Sequence, residues 1–242
     1  MKTSKLITIL TISVASILLS NTPAYSLENE NVITPKTQEE ILGTEEKLKD
    51  LDEYIKVRNS QKGYGSKKVL SSYKSVRQQA GPYCGPTAAY NSTNGAFSIS
   101  EFANLLGTKL PTGGTNFPGR WVSTMNKATN NKNNYQILRG PDYGITTWRE
   151  KIKNSSIYTI DKGYPVIADC YIQSYEDRLH PSYNYATDTK HYVGIIGYDD
   201  RPQITPALLF IVDSNNRTTI PTTYWSEMNN VTYATDQFGI IW

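Results

Sequence analysis

Cys84 is the residue of this chain whose surroundings best fit a chemical role. It lies in the sequence QQAGPYCGPTAA of residues 78–89, where Pro86 suits the first turn of a helix. The unpaired backbone N–H groups and the dipole at a helix N-terminus stabilise an anion, and the thiolate is the form of cysteine that attacks carbonyl carbons. The sequence therefore predicts a nucleophilic cysteine at the start of a helix.

Such a nucleophile needs a base, and histidine is the side chain with the most suitable ordinary pKa. The chain has two histidines. His191 opens the run HYVGIIGY of residues 191–198, which as a strand would hold the ring rigidly, whereas His180 lies in the turn-rich loop LHPS. We therefore assign the base to His191 rather than to His180.

The imidazole in turn needs an acceptor that fixes its tautomer and stabilises its charged form. Asp213 closes the strand-like run FIVD of residues 210–213 and fits this role if its strand lies beside that of His191. Capping of the turn at residues 214–215 is the alternative role for Asp213. Asn215, together with Asp199 and Asp200, is a weaker candidate for the acceptor.

These motifs together resemble the bacteriocin-leader (double-glycine) peptidase-like cysteine peptidases, a family with a papain-like fold. The resemblance covers about residues 70–242. The motifs that carry it are Gln78 six positions before Cys84-Gly85-Pro86, the run His191-Tyr192-Val193 leading to Gly197-Tyr198, the strand end Val212-Asp213 and the sequence Gly163-Tyr164-Pro165-Val166.

The resemblance implies a hydrolase that cleaves peptide or isopeptide bonds by a Cys84-His191-Asp213 mechanism through a thioester, without metal or cofactor. It also implies that Gln78 donates a side-chain N–H to the oxyanion hole, with Gln79 as the adjacent alternative. Two features depart from the family. The transporter segments to which its members are commonly fused are missing, and Lys190 stands where the family often has glycine before its histidine.

Three further readings use the same residues. The substrate is a stem peptide of the cell wall, or the acceptor is an amine as in transglutaminases, or the chain is a secreted binding module whose chemistry has lapsed, for which the 18 tyrosines would supply a binding face. In each case we expect a peptide or protein partner, no nucleic acid and a monomeric chain.

The N-terminus has the pattern of a secretory signal peptide. Lys2 and Lys5 precede an apolar and hydroxylic run over residues 6–19, and Ala24-Tyr25-Ser26 is a small-x-small cleavage pattern. The run is shorter than the ~20 apolar residues of a membrane span. We therefore predict cleavage near Ser26 and a secreted or cell-surface bacterial protein without membrane insertion. Removal of residues 1–26 lowers the net charge from +3 to +1, a balance that argues against nucleic acid as the main partner.

The second cysteine raises the question of a disulfide, which is common for a cysteine pair in an exported protein. Cys170 lies in the strand-like run PVIADCYI of residues 165–172, where a cysteine most often serves as a small buried apolar side chain. We therefore expect two free thiols.

The chain divides into three parts, namely the signal peptide 1–26, an acidic helical extension or pro-segment 27–65, and a papain-like domain 66–242. Apolar residues at helical spacing predict an amphipathic helix over 38–58, which we expect to lie outside the core as a spacer rather than as a removable pro-segment. In the domain, helices are predicted from Cys84, Ser98, Pro118 and Thr147, and strands over 166–172, 191–198, 208–212 and 238–242. This order predicts an α+β fold in which an N-terminal helical half packs against a C-terminal antiparallel sheet.

Overall fold

The computed structural model describes residues 35–61, 65–79, 81–111, 113–173, 175–183 and 189–242. The predicted signal peptide lies outside these residues. The helices are α1 Gln38–Ser60, α2 Cys84–Ser92, α3 Ile99–Leu106, α4 Trp121–Ala128, α5 Ile145–Asp161 and α6 Met228–Thr235. The strands are β1 Lys67–Val69, β2 Ile137–Arg139, β3 Val166–Ile172, β4 Thr189–Asp199, β5 Leu208–Asp213, β6 Thr223–Glu227 and β7 Gly239–Ile241.

One antiparallel sheet contains all of these strands, in the order β2-β7-β3-β4-β5-β6, with β1 paired to β4. β4 is the longest strand, and it pairs with β3 over residues 189–195 and with β5 over residues 193–199. The β4–β5 register shifts between Ile195 and Gly197. The predicted α+β class, with helices early and antiparallel strands late, is confirmed.

The sheet is covered on both faces, because successive side chains of a strand point to opposite sides. Tyr192 of β4 packs in an apolar cluster with residues of α2, α3 and α4, including Phe102 and Trp121. Val193 and Ile195 pack in a second cluster with residues of α5 and α6. A strand buried on both faces needs apolar residues at nearly every position, which explains the continuous run in β4.

The predicted N-terminal helix is confirmed as α1, but its predicted position outside the core is wrong. Leu51 is 2% exposed and belongs to the second apolar cluster. Lys47 is also 2% exposed, and its Nζ donates to the backbone carbonyl of Trp242 at 2.6 Å. The acidic composition hid this packing, because the acidic side chains occupy the outer face while one stripe of the helix is buried.

Several elements differ from the sequence predictions. The capping box of Ser98 and Glu101 opens α3 as predicted, but α4 begins at Trp121 rather than at Pro118. Helix α6 was not predicted, because its sequence MNNVTYAT contains few strong helix formers. Burial of Met228, Val231 and Ala234 against the sheet stabilises it instead. None of the described helices combines the length and apolar character needed to cross a lipid bilayer.

Candidate active site

Cys84 is the first residue of α2 and is half-buried. The following turns of the helix lie flat on the sheet, with Ala88 and Ala89 fully buried. Helix and strand are in direct contact at Gly194 of β4, where an added Cβ would overlap the Ser92 hydroxyl. Small residues on both partners therefore fix the height of α2 above β4 and the position of its N-terminus.

His191 lies near the start of β4 and is 3% exposed. Its Nε2 is 2.8 Å from Asp213 Oδ1, and Cys84 is near enough to the ring to affect its pKa. Since Asp213 occupies Nε2, the nitrogen left for Cys84 is Nδ1. Burial lowers the pKa of His191, but Asp213 and Cys84 together raise it to about 10. The site therefore favours an imidazolium beside the sulfur.

Asp213 is the last residue of β5 and is fully buried. Its Oδ1 accepts from His191 and from the backbone N–H of Asn215 at 2.8 Å, and its Oδ2 accepts from the hydroxyls of Tyr183 and Tyr224, both at 2.7 Å. Burial raises the pKa of this carboxyl, but His191 and the two tyrosines bring it below its ordinary value. Both predicted roles of Asp213 are therefore present, since it caps the turn and also binds the histidine.

The alternative residues are engaged elsewhere. The His180 ring packs on Tyr224 with 4.8 Å between ring centroids, and its Nδ1 accepts the backbone N–H of Ser182. Asp199 pairs with Arg201 and Asp200 with Arg58, each at 2.7 Å. The structure thus brings together Cys84, His191 and Asp213 from three separate elements.

Gln78 connects the cysteine segment to the turn that follows Asp213. Its backbone N–H donates to the Ser214 carbonyl at 2.6 Å, and its Oε1 accepts from the Ser214 hydroxyl at 3.2 Å. One amide hydrogen of its Nε2 donates to the Gly81 carbonyl at 3.3 Å. These contacts fix the half-buried amide of Gln78, whereas the adjacent Gln79 is exposed.

Both cysteines are free. Cys170 is fully buried on β3, and in the strand register it is the direct partner of His191. Burial raises the pKa of its thiol, and the charges of Asp169, Asp213 and Cys84 raise it further. Cys170 is thus an unreactive thiol beside the site, as expected for a small buried apolar side chain.

Tyr183 and Tyr224 are the site residues that the sequence analysis missed. Tyr224 comes from β6 and Tyr183 from the segment before β4, and both hydroxyls reach the same carboxylate oxygen. Nothing in their local sequences separates them from the other tyrosines of the chain. Only the pairing of β6 with β5 brings Tyr224 to Asp213. Within the described residues, no group of three or more His, Cys, Asp or Glu side chains is placed to hold a metal ion.

Comparison with known proteins agrees with the predicted resemblance. A model of the Peptidase_C39 like family matches residues 70–237, which is more than half of the chain. A solved structure described as a C39-like peptidase from Bacillus anthracis is 15% identical, with 73% of this chain and 96% of that chain covered and a TM-score of 0.45. No curated protein matches the sequence. The family match includes the positions of Gln78, Cys84, His191 and Asp213.

Proposed function

The chain belongs to the Peptidase_C39 like family, and from this premise we propose that it is a cysteine peptidase that hydrolyses peptide or isopeptide bonds with Cys84 as nucleophile. The observation that carries the proposal is the His191 ring, which Asp213 binds through Nε2 and whose pKa Cys84 helps to raise. A nucleophile, a base and a group that orients the base are the three parts that thiol-dependent acyl transfer needs.

In the proposed mechanism, the Cys84 thiolate attacks the carbonyl carbon of the scissile bond, and the carbonyl oxygen becomes an oxyanion. The His191 imidazolium then protonates the leaving amine, which departs and leaves a thioester on Cys84. The neutral His191 next takes a proton from water, the hydroxide attacks the thioester, and the acid product leaves as the thiolate re-forms. Asp213 holds the ring and stabilises its charged form throughout.

Gln78 is the proposed oxyanion donor, together with the backbone N–H of Cys84. The amide of Gln78 is held at its oxygen by Ser214 and at one N–H by Gly81, which leaves its second N–H for the substrate. A donor held by the protein stabilises a developing charge without reorganisation. On this reasoning, Gln78→Ala lowers kcat by about 10²-fold, and Gln79→Ala serves as its matched control.

We propose that the chain is exported, with residues 1–26 as a cleaved signal peptide. The basic start, the apolar run and the small-x-small pattern of Ala24-Tyr25-Ser26 support this proposal. The test is N-terminal sequencing of the protein after expression in a bacterial host. A mature N-terminus near residue 27 in the medium or cell wall fits the proposal, and an intact Met1 in the cytoplasm contradicts it.

Alkylation of Cys84 by iodoacetamide at neutral pH tests the nucleophile before any substrate is known. We expect Cys84 to react much faster than glutathione, and His191→Ala to abolish this difference. Cys84→Ala is the control, because the buried Cys170 should remain unlabelled in the folded protein. If Cys84 reacts no faster than glutathione, the proposed activity is wrong and the lapsed binding module gains support.

The nature of the substrate is tested with two possible acyl donors and, in a parallel reaction, with an added amine acceptor. Incubation with an unstructured protein and with purified peptidoglycan, followed by detection of new amino termini, separates a general peptidase from a hydrolase of cell-wall stem peptides. Addition of a small primary amine shows whether the thioester is transferred to amines instead of water. Loss of every product in Cys84→Ala is required in each case.

A further inference from the structure

The segment 74–78, which precedes Cys84 in the chain, is tied to α2 by a buried asparagine. Asn91 of α2 has no exposed surface, and its side-chain amide accepts the backbone N–H of Val76 at 3.1 Å and donates to the Val76 carbonyl at 2.9 Å. The backbone carbonyl of Asn91 also accepts the N–H of Lys74 at 2.8 Å. One end of the segment is therefore fixed to the helix that carries the nucleophile.

Arg77 ties the other end of this segment to the loop 214–222, which joins β5 to β6. Its Nη1 donates to the carbonyls of Asn215 and Arg217 at 2.6 and 2.7 Å, and its Nη2 donates to the carbonyl of Ile220 at 2.8 Å. A guanidinium group is planar and presents its donors in a fixed geometry. Its three contacts therefore hold three points of the loop in a defined arrangement.

The positive charge of Arg77 is used for these carbonyl contacts and not for an ion pair. Arg77 is half-buried, and within the described parts of the chain it pairs with no carboxylate. Hydrogen bonds from a charged donor are stronger than those between neutral groups. We therefore expect Arg77 to restrain the loop strongly.

The loop that Arg77 binds also contacts two groups of the proposed mechanism. The Asn215 N–H donates to Asp213 Oδ1 at 2.8 Å, and Ser214 binds Gln78 through both its carbonyl and its hydroxyl. Because Arg77 and Gln78 are adjacent in the chain, both hold the same loop. A shift of this loop would displace the Gln78 amide more than Asp213, which keeps three side-chain partners elsewhere.

We propose that Arg77 is a positioning residue for the oxyanion hole, which places the Gln78 amide relative to Cys84 by holding the loop 214–222 against the segment 74–78. The inference rests on the proposed function, because it takes Gln78 as the oxyanion donor. A misplacement of about 1 Å lowers a rate by about 10²-fold, so a residue that does not touch the substrate still affects turnover. Loss of Arg77 should impair acyl transfer and leave the reactivity of the thiol intact.

Two reagents that react with the same thiol separate these effects without a known substrate. The Cys84 thiolate attacks p-nitrophenyl acetate at the carbonyl carbon and forms an oxyanion, which collapses to an acetyl thioester as p-nitrophenolate leaves. Iodoacetamide is attacked at a saturated carbon, loses iodide and forms no oxyanion. The ratio of the two rates, each corrected for the rate of Cys84→Ala, therefore reports how well the oxyanion is stabilised.

Arg77→Ala should lower this ratio by about ten-fold, while the iodoacetamide rate stays close to that of the wild type. Arg77→Met keeps the apolar stem of the side chain and should give the same result, so it replaces Arg77→Ala if that variant does not fold. Gln78→Ala should lower the ratio by about 10²-fold.

A double variant shows whether Arg77 acts through Gln78. Changes that act through one group are not additive, so Arg77→Ala/Gln78→Ala should have the same ratio as Gln78→Ala. A purely structural role of Arg77 predicts instead that its loss lowers both rates, with or without Gln78.

Arg58→Ala is the matched control. Arg58 is also half-buried, and it donates to Asp200 and to Ser66. Asp200 follows the end of β4 opposite to His191, ~30 Å away at ~3.3 Å per residue. Loss of Arg58 should therefore lower the stability and leave the ratio unchanged.

The possible results separate this inference from the proposed function. A wild-type ratio in Arg77→Ala or Arg77→Met, an equal loss of both rates, or a further ten-fold loss in the double variant overturns the role of Arg77, as does a wild-type ratio in Gln78→Ala. In each of these cases a fast iodoacetamide reaction of the wild type still supports the peptidase. A slow reaction of the wild type contradicts the peptidase, and the inference fails with it.

Discussion

At the residue scale, the site is an ordered series of hydrogen bonds that ends at a buried carboxylate. Asp213 has no exposed surface, yet four donors surround its two oxygens. An unpaired buried charge lowers the stability of the folded protein far more than a paired one. His191 and the two tyrosines therefore stabilise the Asp213 charge, and Asp213 in turn orients His191. Residue types in the sequence suggested the first partner but gave no indication of the tyrosines.

The pH dependence of Cys84 alkylation follows from the His191 pKa. Since Asp213 and Cys84 raise that pKa to about 10 against the effect of burial, His191 stays protonated through neutrality. The iodoacetamide rate should therefore show no step near ~6.5, where an ordinary histidine titrates. A rate measured across neutral and alkaline pH checks this. A clear step in the neutral range would mean that Asp213 does not hold the imidazolium.

Tyr224→Phe removes one of the two hydroxyl donors of Asp213 Oδ2 and leaves Tyr183 in place. A hydrogen bond to a charged group contributes about 1.5–3 kcal/mol, and we expect a loss of this size in the free energy of unfolding. The His191 pKa, read from the alkaline limb of the alkylation profile, should rise, because a carboxylate that loses one donor is more basic and attracts the imidazolium more strongly.

Tyr233→Phe is the control for the loss of a tyrosine hydroxyl, because Tyr233 is half-buried on α6. It should change neither the stability nor the alkylation profile. If Tyr224→Phe lowers stability while leaving the alkaline limb in place, Tyr224 supports the fold and not the electrostatics of the site.

At the element scale, the site depends on how closely α2 approaches β4. The helix N-terminus and the start of the strand were both predicted from the sequence, because each has a local signature in its small residues or its apolar run. Their separation was not predictable, because it is set by Gly194 and Ser92, which are 102 positions apart in the chain. The close approach at Gly194 needs a residue without a Cβ.

Gly194→Ala should force α2 away from β4, because the new Cβ would overlap both the Ser92 hydroxyl and Val212 Cγ1. Overpacking of this kind costs about 1–3 kcal/mol, which denaturant unfolding measures. The fast alkylation of Cys84 should also decline, as the thiol moves away from His191.

Gly114→Ala is the control, because a Cβ there meets nothing within 4 Å. The double variant Ser92→Ala/Gly194→Ala should recover part of the lost stability, since it removes the hydroxyl but not Val212. A Gly194→Ala protein as stable as the wild type would show that the helix and strand are not in tight contact.

At the scale of the whole molecule, residues 35–242 form one compact unit, in which the first helix and the last residue are in contact. Arg58 of α1 pairs with Asp200 at 2.7 Å, and Arg139 of β2 pairs with Glu40 of α1 at 2.8 Å. Lys47 donates to the Trp242 carbonyl, and its Nζ lies 4.6 Å from the centroid of the Trp242 ring. Acidic helix α1 is therefore integrated into the fold by polar contacts as well as by Leu51.

Lys47→Met should change the pH dependence of stability in a defined direction. Burial and the neighbouring Lys162 lower the pKa of Lys47 from 10.5 to about 6, so between these values the unfolded chain binds a proton that the folded chain lacks. The contribution of Lys47 to the free energy of unfolding therefore rises by ~1.4 kcal/mol per pH unit over this range. The free energy of unfolding of Lys47→Met should exceed that of the wild type by the largest amount at or below about pH 6. This difference should decline towards pH 10.5.

Unfolding of both proteins over this pH range measures that difference, in which the titrations of all other groups cancel. Lys49→Met, on the same helix but at an exposed position, is the control and should give no slope. A constant difference between Lys47→Met and the wild type would mean that Lys47 keeps its ordinary pKa in the folded state.

The sequence by itself determined the α+β class, α1, the helix start at Cys84 and the capping box of α3, and it suggested Cys84, His191 and Asp213 as candidates, because each has a local signature in residue type or periodicity. Only the tertiary structure decided that Tyr183 and Tyr224 bind Asp213 and that α1 belongs to the core. These features join positions far apart in the chain, and strand register and burial, which no local pattern encodes, bring them together.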